Sequence, residues 1–219
     1  WDNKIMALNK LKFNSLNVTP AASEAIRFNS SANGLETASA GGSLVKIAST
    51  TASSSSSISF TSGLTSTHKE YLFLFNNIHP ASDGQQFFFN MSADSGSNYN
   101  VTKTTTYFYI QHAEGGGSEA FDYDTGSDLA QSTGYARIAE SIGNDNDQST
   151  SGFLHLFEPS STTFVKHFMT GFNVVNASDQ ILTTYSGGYA NTTSAINAID
   201  FKVNSGNIDS GTITMYGVL

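Results

Sequence analysis

Apolar and polar residues alternate along much of this chain with the two-residue period of half-buried β-strands. The pattern is clearest near the end of the chain, where Ile199, Phe201 and Val203 alternate with charged and amide side chains. After a glycine-punctuated turn, Ile213 and Met215 alternate with threonines and a tyrosine. We expect both segments to lie in a sheet, because an alternating apolar face gains stability only when another layer covers it.

Similar segments recur at the spacing of an antiparallel sandwich and bring the total to about ten strands. The predicted segments are 44–48, 58–60, 70–78, 86–92, 102–111, 152–159, 164–172 and 180–189. Residues 70–78 are apolar on both faces, as in a central strand. Residues 135–142 fit either a strand or a short helix. The prediction is an all-β, antiparallel β-sandwich of jelly-roll type.

The pattern of the first 42 residues indicates a unit separate from the rest of the chain. Residues 1–42 are expected to form an extended attachment and oligomerisation segment, and residues 43–219 the β-sandwich domain. A basic-Phe-Asn-Ser motif occurs at 12–15 and again at 27–30, and units this short need partners to bury their surface. Residues 19–26 predict one helical turn. The residues expected to mediate assembly are Phe13, Ile26, Phe28 and Leu35.

The composition excludes several classes of protein. Charged residues make up only 13% and aromatic residues 12%, so Ser, Thr, Asn and Gly provide most of the polar surface, as in many extracellular and virion proteins. A net charge of −8 argues against binding to nucleic acids or to anionic membranes. There is no cysteine for a disulfide or a thiolate metal site. No apolar run reaches the roughly 18 residues of a membrane span.

Metal and cofactor sites are not expected. The five histidines lack the spacing of a metal motif, and the one zinc alternative pairs His155 with His167 across a hairpin. The oxygen-rich loop at 144–148 makes Asp145 and Asp147 the candidate calcium ligands, although the EF-hand pattern is absent.

Catalysis is not expected either. Glycoside hydrolysis needs two carboxylates held about 5 to 10 Å apart. Glu114, Glu119, Glu140 and Glu158 are available, but no motif pairs any two of them. The chain also lacks a nucleophile elbow and a phosphate-binding loop. A polysaccharide depolymerase is the enzymatic alternative.

Tyrosines beside small polar residues are the main candidates for ligand binding. Rigid aromatic rings next to hydroxyl and amide groups suit carbohydrate stacking or protein contact. The candidates are Tyr123, Tyr135, Tyr185 and Tyr189. We expect the segment 185–189 to be an exposed loop. The alternative is that these tyrosines brace the edges of a sheet.

Several segments resemble structural proteins of tailed phages that infect marine bacteria and cyanobacteria. The segments are 17–23, 27–36, 77–83, 94–100 and 205–217. The resemblance implies a non-enzymatic protein on the virion surface, of tail-fibre, head-fibre or capsid-decoration type, and it supplies no catalytic residues. Expected partners are copies of the same chain in a homotrimer, other virion proteins and a host-surface glycan. A carbohydrate-binding module or a secreted adhesin is the alternative.

Overall fold

The computed structural model describes residues 24–39 and 43–219, and all fourteen regular elements in those ranges are β-strands. The chain divides into two compact units with the boundary between Ser43 and Leu44. The strands are β1 (Glu24–Phe28), β2 (Leu35–Ser39), β3 (Leu44–Thr51), β4 (Ile58–Phe60), β5 (Glu70–Pro80), β6 (Gln85–Ser92), β7 (Lys103–Ala113), β8 (Ala120–Tyr123), β9 (Ala136–Ile142), β10 (Thr150–Phe157), β11 (Lys166–Val175), β12 (Gln180–Ala190), β13 (Ala198–Val203) and β14 (Ile208–Val218).

In the N-terminal unit, β1 and β2 pair as an antiparallel hairpin. The Asn29 side chain organises its turn by accepting a hydrogen bond from the Asn33 N–H at 3.2 Å. The helical turn predicted for residues 19–26 is therefore wrong over residues 24–26, which belong to β1, while residues 19–23 lie outside the described residues. Phe13 also lies outside them. Phe28 is 72% exposed in this hairpin.

The second unit is an antiparallel sandwich, which confirms the predicted all-β fold. One sheet has eight strands in the order β3-β14-β5-β10-β11-β12-β7-β8, and the other has four in the order β4-β13-β6-β9. All pairings between neighbouring strands are antiparallel. The eight-stranded sheet is larger than the layer facing it.

Phenylalanine rings fill the space between the two sheets. Phe201 lies at the centre, with its ring 5.0 Å from that of Phe75 and 5.5 Å from that of Phe73. Phe87 and Phe89 pack around the same ring. These side chains come from alternate positions of β5, β6 and β13, because every second side chain of a strand points to the same face of its sheet.

Three details differ from, or go beyond, the sequence prediction. The ambiguous segment 135–142 is a strand, β9, and its residues Ile138 and Ile142 are buried. The short strand β8 was not predicted, because its four residues carry too little pattern. The final two strands do not pair with each other: β13 belongs to the four-stranded sheet and β14 to the eight-stranded sheet. The turn around Gly206, whose φ is 75°, therefore connects the two layers.

Candidate functional site

The predicted tyrosine loop is part of a strand. Tyr185 and Tyr189 both lie in β12, which corrects the expectation of an exposed loop at 185–189. Leu182 and Thr184 on the same strand are buried, so the odd-numbered positions of β12 face away from the core. Alternation, and not loop geometry, therefore places these tyrosines on the outer face of the eight-stranded sheet, where Tyr185 is exposed and Tyr189 is half-buried.

Tyr185 belongs to a line of residues that crosses this outer face, and all but one of them have large side chains. Neighbouring members lie directly opposite each other on adjacent strands. We call this line the aromatic row, and its members in spatial order are Tyr123, Phe108, Tyr185, Gly171, Phe153 and Leu74. The rings of Phe108 and Tyr185 stack with centroids 5.3 Å apart and an interplanar angle of 24°. Tyr185 and Phe153 are each 39% exposed, so solvent reaches the row.

Gly171 interrupts the row and produces a depression. A Cβ atom at Gly171 would lie 2.8 Å from Cε1 of Phe153 and 3.2 Å from Cε1 of Tyr185. The two rings therefore occupy the space that a side chain on β11 would need. A depression of about 150 Å³ is lined by these three residues together with Asn173 and Thr183.

Polar groups border the depression on one side. The Thr183 hydroxyl donates to Oδ1 of Asn173 at 2.8 Å. Ser151, on the neighbouring strand, accepts a hydrogen bond from the Asn77 N–H at 2.9 Å. Aromatic faces beside hydroxyl and amide groups match the two faces of a sugar ring, one of C–H groups and one of hydroxyls.

The other predicted tyrosines are dispersed. Tyr123 lies in the aromatic row and donates from its hydroxyl to Asp128 at 2.8 Å. Tyr189 lies about 13 Å along β12 from Tyr185, and its hydroxyl accepts from Gln131 Nε2 at 3.2 Å.

Tyr135 does not belong with them, because it precedes β9 of the four-stranded sheet. Its hydroxyl donates to Oδ2 of Asp200 at 2.9 Å, and Nζ of Lys202 lies 3.9 Å from its ring centroid. Burial, followed by the bond to Asp200, raises the pKa of Tyr135. Its hydroxyl and one face of its ring therefore already contact other residues of the protein. Tyr135 does not form one ligand-binding site with Tyr123, Tyr185 and Tyr189.

A second, polar site was not predicted. A cleft of about 470 Å³, which we call the acidic cleft, includes Tyr109, Asp122, Asp124, Glu140 and Gln180 in its lining.

One arginine joins two carboxylates of the acidic cleft. Nη1 of Arg137 lies 3.2 Å from Oδ2 of Asp124 and 3.0 Å from Oε2 of Glu140. The Ser127 hydroxyl lowers the pKa of Asp124, whereas burial raises the pKa of Glu140. Two neighbouring carboxyls whose pKa values move apart are the arrangement that acid–base chemistry uses.

A third depression is apolar. It has a volume of about 480 Å³ at the turn between β10 and β11, and Phe157, Phe164, Val165 and His167 are among its lining residues. Phe164 is 70% exposed there. Most of its exposed lining surface is apolar, although Glu158, Thr163 and Thr193 also border it.

The calcium and zinc candidates do not come together as metal sites. Within residues 24–39 and 43–219, no group of three or more His, Asp or Glu side chains could hold a metal ion. In the loop of Asp145 and Asp147, Gln148 folds back so that its Oε1 accepts from the Asp145 N–H at 3.2 Å. His155 instead contacts Oε2 of Glu70 at 2.9 Å.

Comparison with known proteins adds no relative. No family model, no curated protein and no solved structure matches this chain. The described part of the chain also contains no helix that is long and apolar enough to cross a membrane.

The sequence predicted two members of the aromatic row, Tyr123 and Tyr185, and missed Phe108, Gly171 and Phe153. A signal was present, because Phe153 occupies an outward position of a strand whose inward positions are Leu154 and Leu156. Exposed apolar residues indicate a contact surface when they form a contiguous patch, and only the strand order showed that Phe153 belongs to one.

Proposed function

We propose that this protein is a non-catalytic surface protein that binds a glycan along the aromatic row. The observation that supports this most is the depression over Gly171, where the rings of Phe153 and Tyr185 adjoin the polar groups of Asn173 and Thr183. A sugar unit placed there stacks on the rings and exchanges hydrogen bonds with the polar border. The low share of charged residues agrees with recognition of a neutral ligand.

Each stacked ring contributes about 1 kcal/mol, so the row in one chain supports only weak, roughly millimolar binding. Several chains held together would raise the effective affinity by about 100-fold or more without any new contact. The proposal therefore includes assembly into an oligomer through the N-terminal unit, where Ile26 and Phe28 are exposed.

The protein's place on a virion is part of the same proposal. It is supported by the resemblance to phage structural proteins and by the surface-protein composition. Antibody against residues 43–219 should label the tail or the head of purified particles of a phage that encodes the chain. Particles without any label would make a secreted adhesin the better description.

Binding is tested by presenting the full chain in multivalent form on a glycan array. We expect retention of at least one polysaccharide class, and loss of that retention in Tyr185→Ala and in Phe153→Ala. Tyr189→Ala is the matched control, because it removes a tyrosine from the same face of β12 outside the row. Absence of glycan retention by the unaltered chain, or equal loss in all three variants, would contradict the proposal.

A second candidate function is glycan hydrolysis in the acidic cleft, favoured by the opposite pKa shifts of Asp124 and Glu140. Glu140 would be the acid and Asp124 the ionised partner. The test is release of reducing sugar from a retained polysaccharide. Activity that disappears in Glu140→Gln and persists in the exposed-carboxylate control Glu158→Gln would establish hydrolysis, and no release by the unaltered chain would exclude it for that polysaccharide.

A further inference from the structure

Lys103 is a fully buried lysine that makes no ion pair with any residue the structure describes. Its Nζ donates to Oδ1 of Asn90 at 2.5 Å and to the Val101 carbonyl oxygen at 2.7 Å. Burial lowers the pKa of Lys103 to about 7. A neutral amine has two N–H donors and one lone pair, so these two acceptors use both donors and leave the lone pair of Nζ available.

The carboxamide of Asn90 is held in one orientation. Asn90 is also fully buried, and its Nδ2 donates to the carbonyl oxygens of Tyr99 at 2.6 Å and Thr133 at 3.0 Å. Its Oδ1 accepts from the Met91 N–H at 2.8 Å in addition to Lys103. When the Nζ lone pair turns toward Cγ of Asn90, the Met91 N–H remains on Oδ1 and stabilises the negative charge that develops there during nucleophilic attack.

A buried carboxyl group lies beside Asn90. Asp200 is directly opposite Asn90 in the register between β13 and β6, which places their Cβ atoms about 5 Å apart on one face of the sheet. Asp200 is only 3% exposed. Its Oδ1 accepts from the Ser59 hydroxyl at 2.5 Å and its Oδ2 accepts from the Tyr135 hydroxyl at 2.9 Å.

We propose that Lys103 and Asn90 become joined by an intramolecular isopeptide bond after folding, with Asp200 as the group that assists proton transfer. The Nζ lone pair attacks Cγ of Asn90, and a bond between Nζ and Cγ forms. The bond between Cγ and Nδ2 then breaks, and Nδ2 leaves as ammonia with a proton that originates from Nζ. An amine and a carboxamide thus give a secondary amide and ammonia, and no oxidant, reductant or cofactor takes part.

The proposed bond would link the two layers of the sandwich. Asn90 lies in β6 of the four-stranded sheet and Lys103 in β7 of the eight-stranded sheet. A chain without cysteine cannot make this connection with a disulfide. For a surface protein that is pulled by its ligand, a covalent tie between the sheets resists separation of the layers, and this consequence goes beyond the proposed glycan binding.

A second buried lysine provides a matched control. Lys166 lies in register with Ala190, whose partner on the other side is Lys103, so the two lysines belong to one row across three strands. Lys166 is also fully buried, but its Nζ donates to the carbonyl oxygen of Thr192 at 3.0 Å. A backbone carbonyl is not a side-chain carboxamide that can release ammonia. Lys166 is therefore buried like Lys103 but has no group with which it could form an isopeptide bond.

The test is the intact mass of the purified full chain. We expect a mass lower than that of the sequence by one ammonia. Trypsin should also fail to cut after Lys103 and should yield a single peptide from Glu70 to Arg137, whose fragmentation locates the link between residues 90 and 103. A full sequence mass in folded protein after prolonged incubation above pH 7, or normal cleavage after Lys103, would overturn the proposal.

Variants separate the reaction from the fold. Lys103→Met, which keeps an unbranched side chain in the same space, should restore the full mass, and Lys166→Met should retain the ammonia deficit. Asp200→Asn should show the full mass while circular dichroism reports an unchanged β-sheet signal. If the Lys103→Met protein still lacks the mass of one ammonia, the proposed bond is wrong. If the Asp200→Asn protein loses ammonia at the rate of the unaltered chain, Asp200 does not assist the proton transfer.

Discussion

Phe153 and Tyr185 share the space above Gly171, although each lies on a different neighbouring strand. Phe153 pairs with Gly171 from β10 and Tyr185 pairs with it from β12. Their Cε1 atoms lie within 2.8 and 3.2 Å of the position that a Cβ on Gly171 would occupy. The shape of the depression proposed to hold a sugar unit therefore depends on the absence of a side chain at Gly171.

Gly171→Ala should displace both rings and weaken glycan retention. We expect the free energy of unfolding to fall by about 1 kcal/mol, near the lower end for overpacking, because ring tips at the surface can move. Gly187→Ala is the control, since its Cβ would meet nothing closer than 3.8 Å on the same sheet. Urea unfolding and glycan retention measure the two effects. Equal retention by the two variants would contradict a role for the depression.

Phe201→Ala should be among the most destabilising single substitutions in the sandwich. Its ring contacts those of Phe73, Phe75 and Phe87 at the centre of the core. Removing a buried phenylalanine costs about 3–5 kcal/mol. The matched control is Phe164→Ala, which removes an exposed ring and should change the unfolding free energy by less than about 0.5 kcal/mol. Similar values for both, measured by urea unfolding, would argue against this placement of the core.

Arg137→Met should destabilise the protein in a pH-dependent way. At pH 7 the loss of the arginine leaves the carboxylate of Glu140 without its partner, which costs about 3 kcal/mol. Burial already raises the pKa of Glu140, and removing Arg137, which lowers it, raises it further. Between the pKa of a glutamate in the unfolded chain and the raised pKa of Glu140, the folded variant holds a proton that the unfolded chain has released. The free energy of unfolding of the variant therefore falls as pH rises through this range.

The measurement for Arg137→Met is urea unfolding at pH 5 and pH 7, with a smaller defect expected at pH 5. Lys69→Met is the control, because the pair between Lys69 and Glu158 is exposed and contributes less than about 1 kcal/mol. A defect of equal size at both pH values would show that an unpaired Glu140 carboxylate is not its cause.

Phe28→Ser should dissociate the expected trimer. Phe28 is 72% exposed in a two-stranded hairpin, and an isolated hairpin of this kind is marginally stable in water without a further surface to pack on. Sedimentation at micromolar concentration should give a trimer for the unaltered chain and a monomer for the variant. Phe164→Ser, which alters an equally exposed ring in the sandwich unit, should remain trimeric. A monomeric unaltered chain would contradict the assembly proposal.

Local pattern predicted the strands well and the site only in part. β5 is a long apolar run, β7 is rich in β-branched and aromatic residues, and β14 alternates apolar and polar residues, so the strand character of all three follows from local sequence. β8 has four residues and gave no comparable signal. The segment 185–189 contains two glycines and was predicted to be a loop, but pairing with β7 and β11 on both sides keeps it extended. Such pairing outweighs local propensity.

The sequence by itself determined that this chain folds into antiparallel strands around a phenylalanine-rich core, because burial of alternating side chains is a local property of each strand. Only the tertiary structure decided which strands are neighbours. Register brings Phe153 and Tyr185 over Gly171, and it places Asp200 opposite Asn90. These residues are far apart along the chain, and their proximity results from the pairing of whole strands, which no short segment specifies.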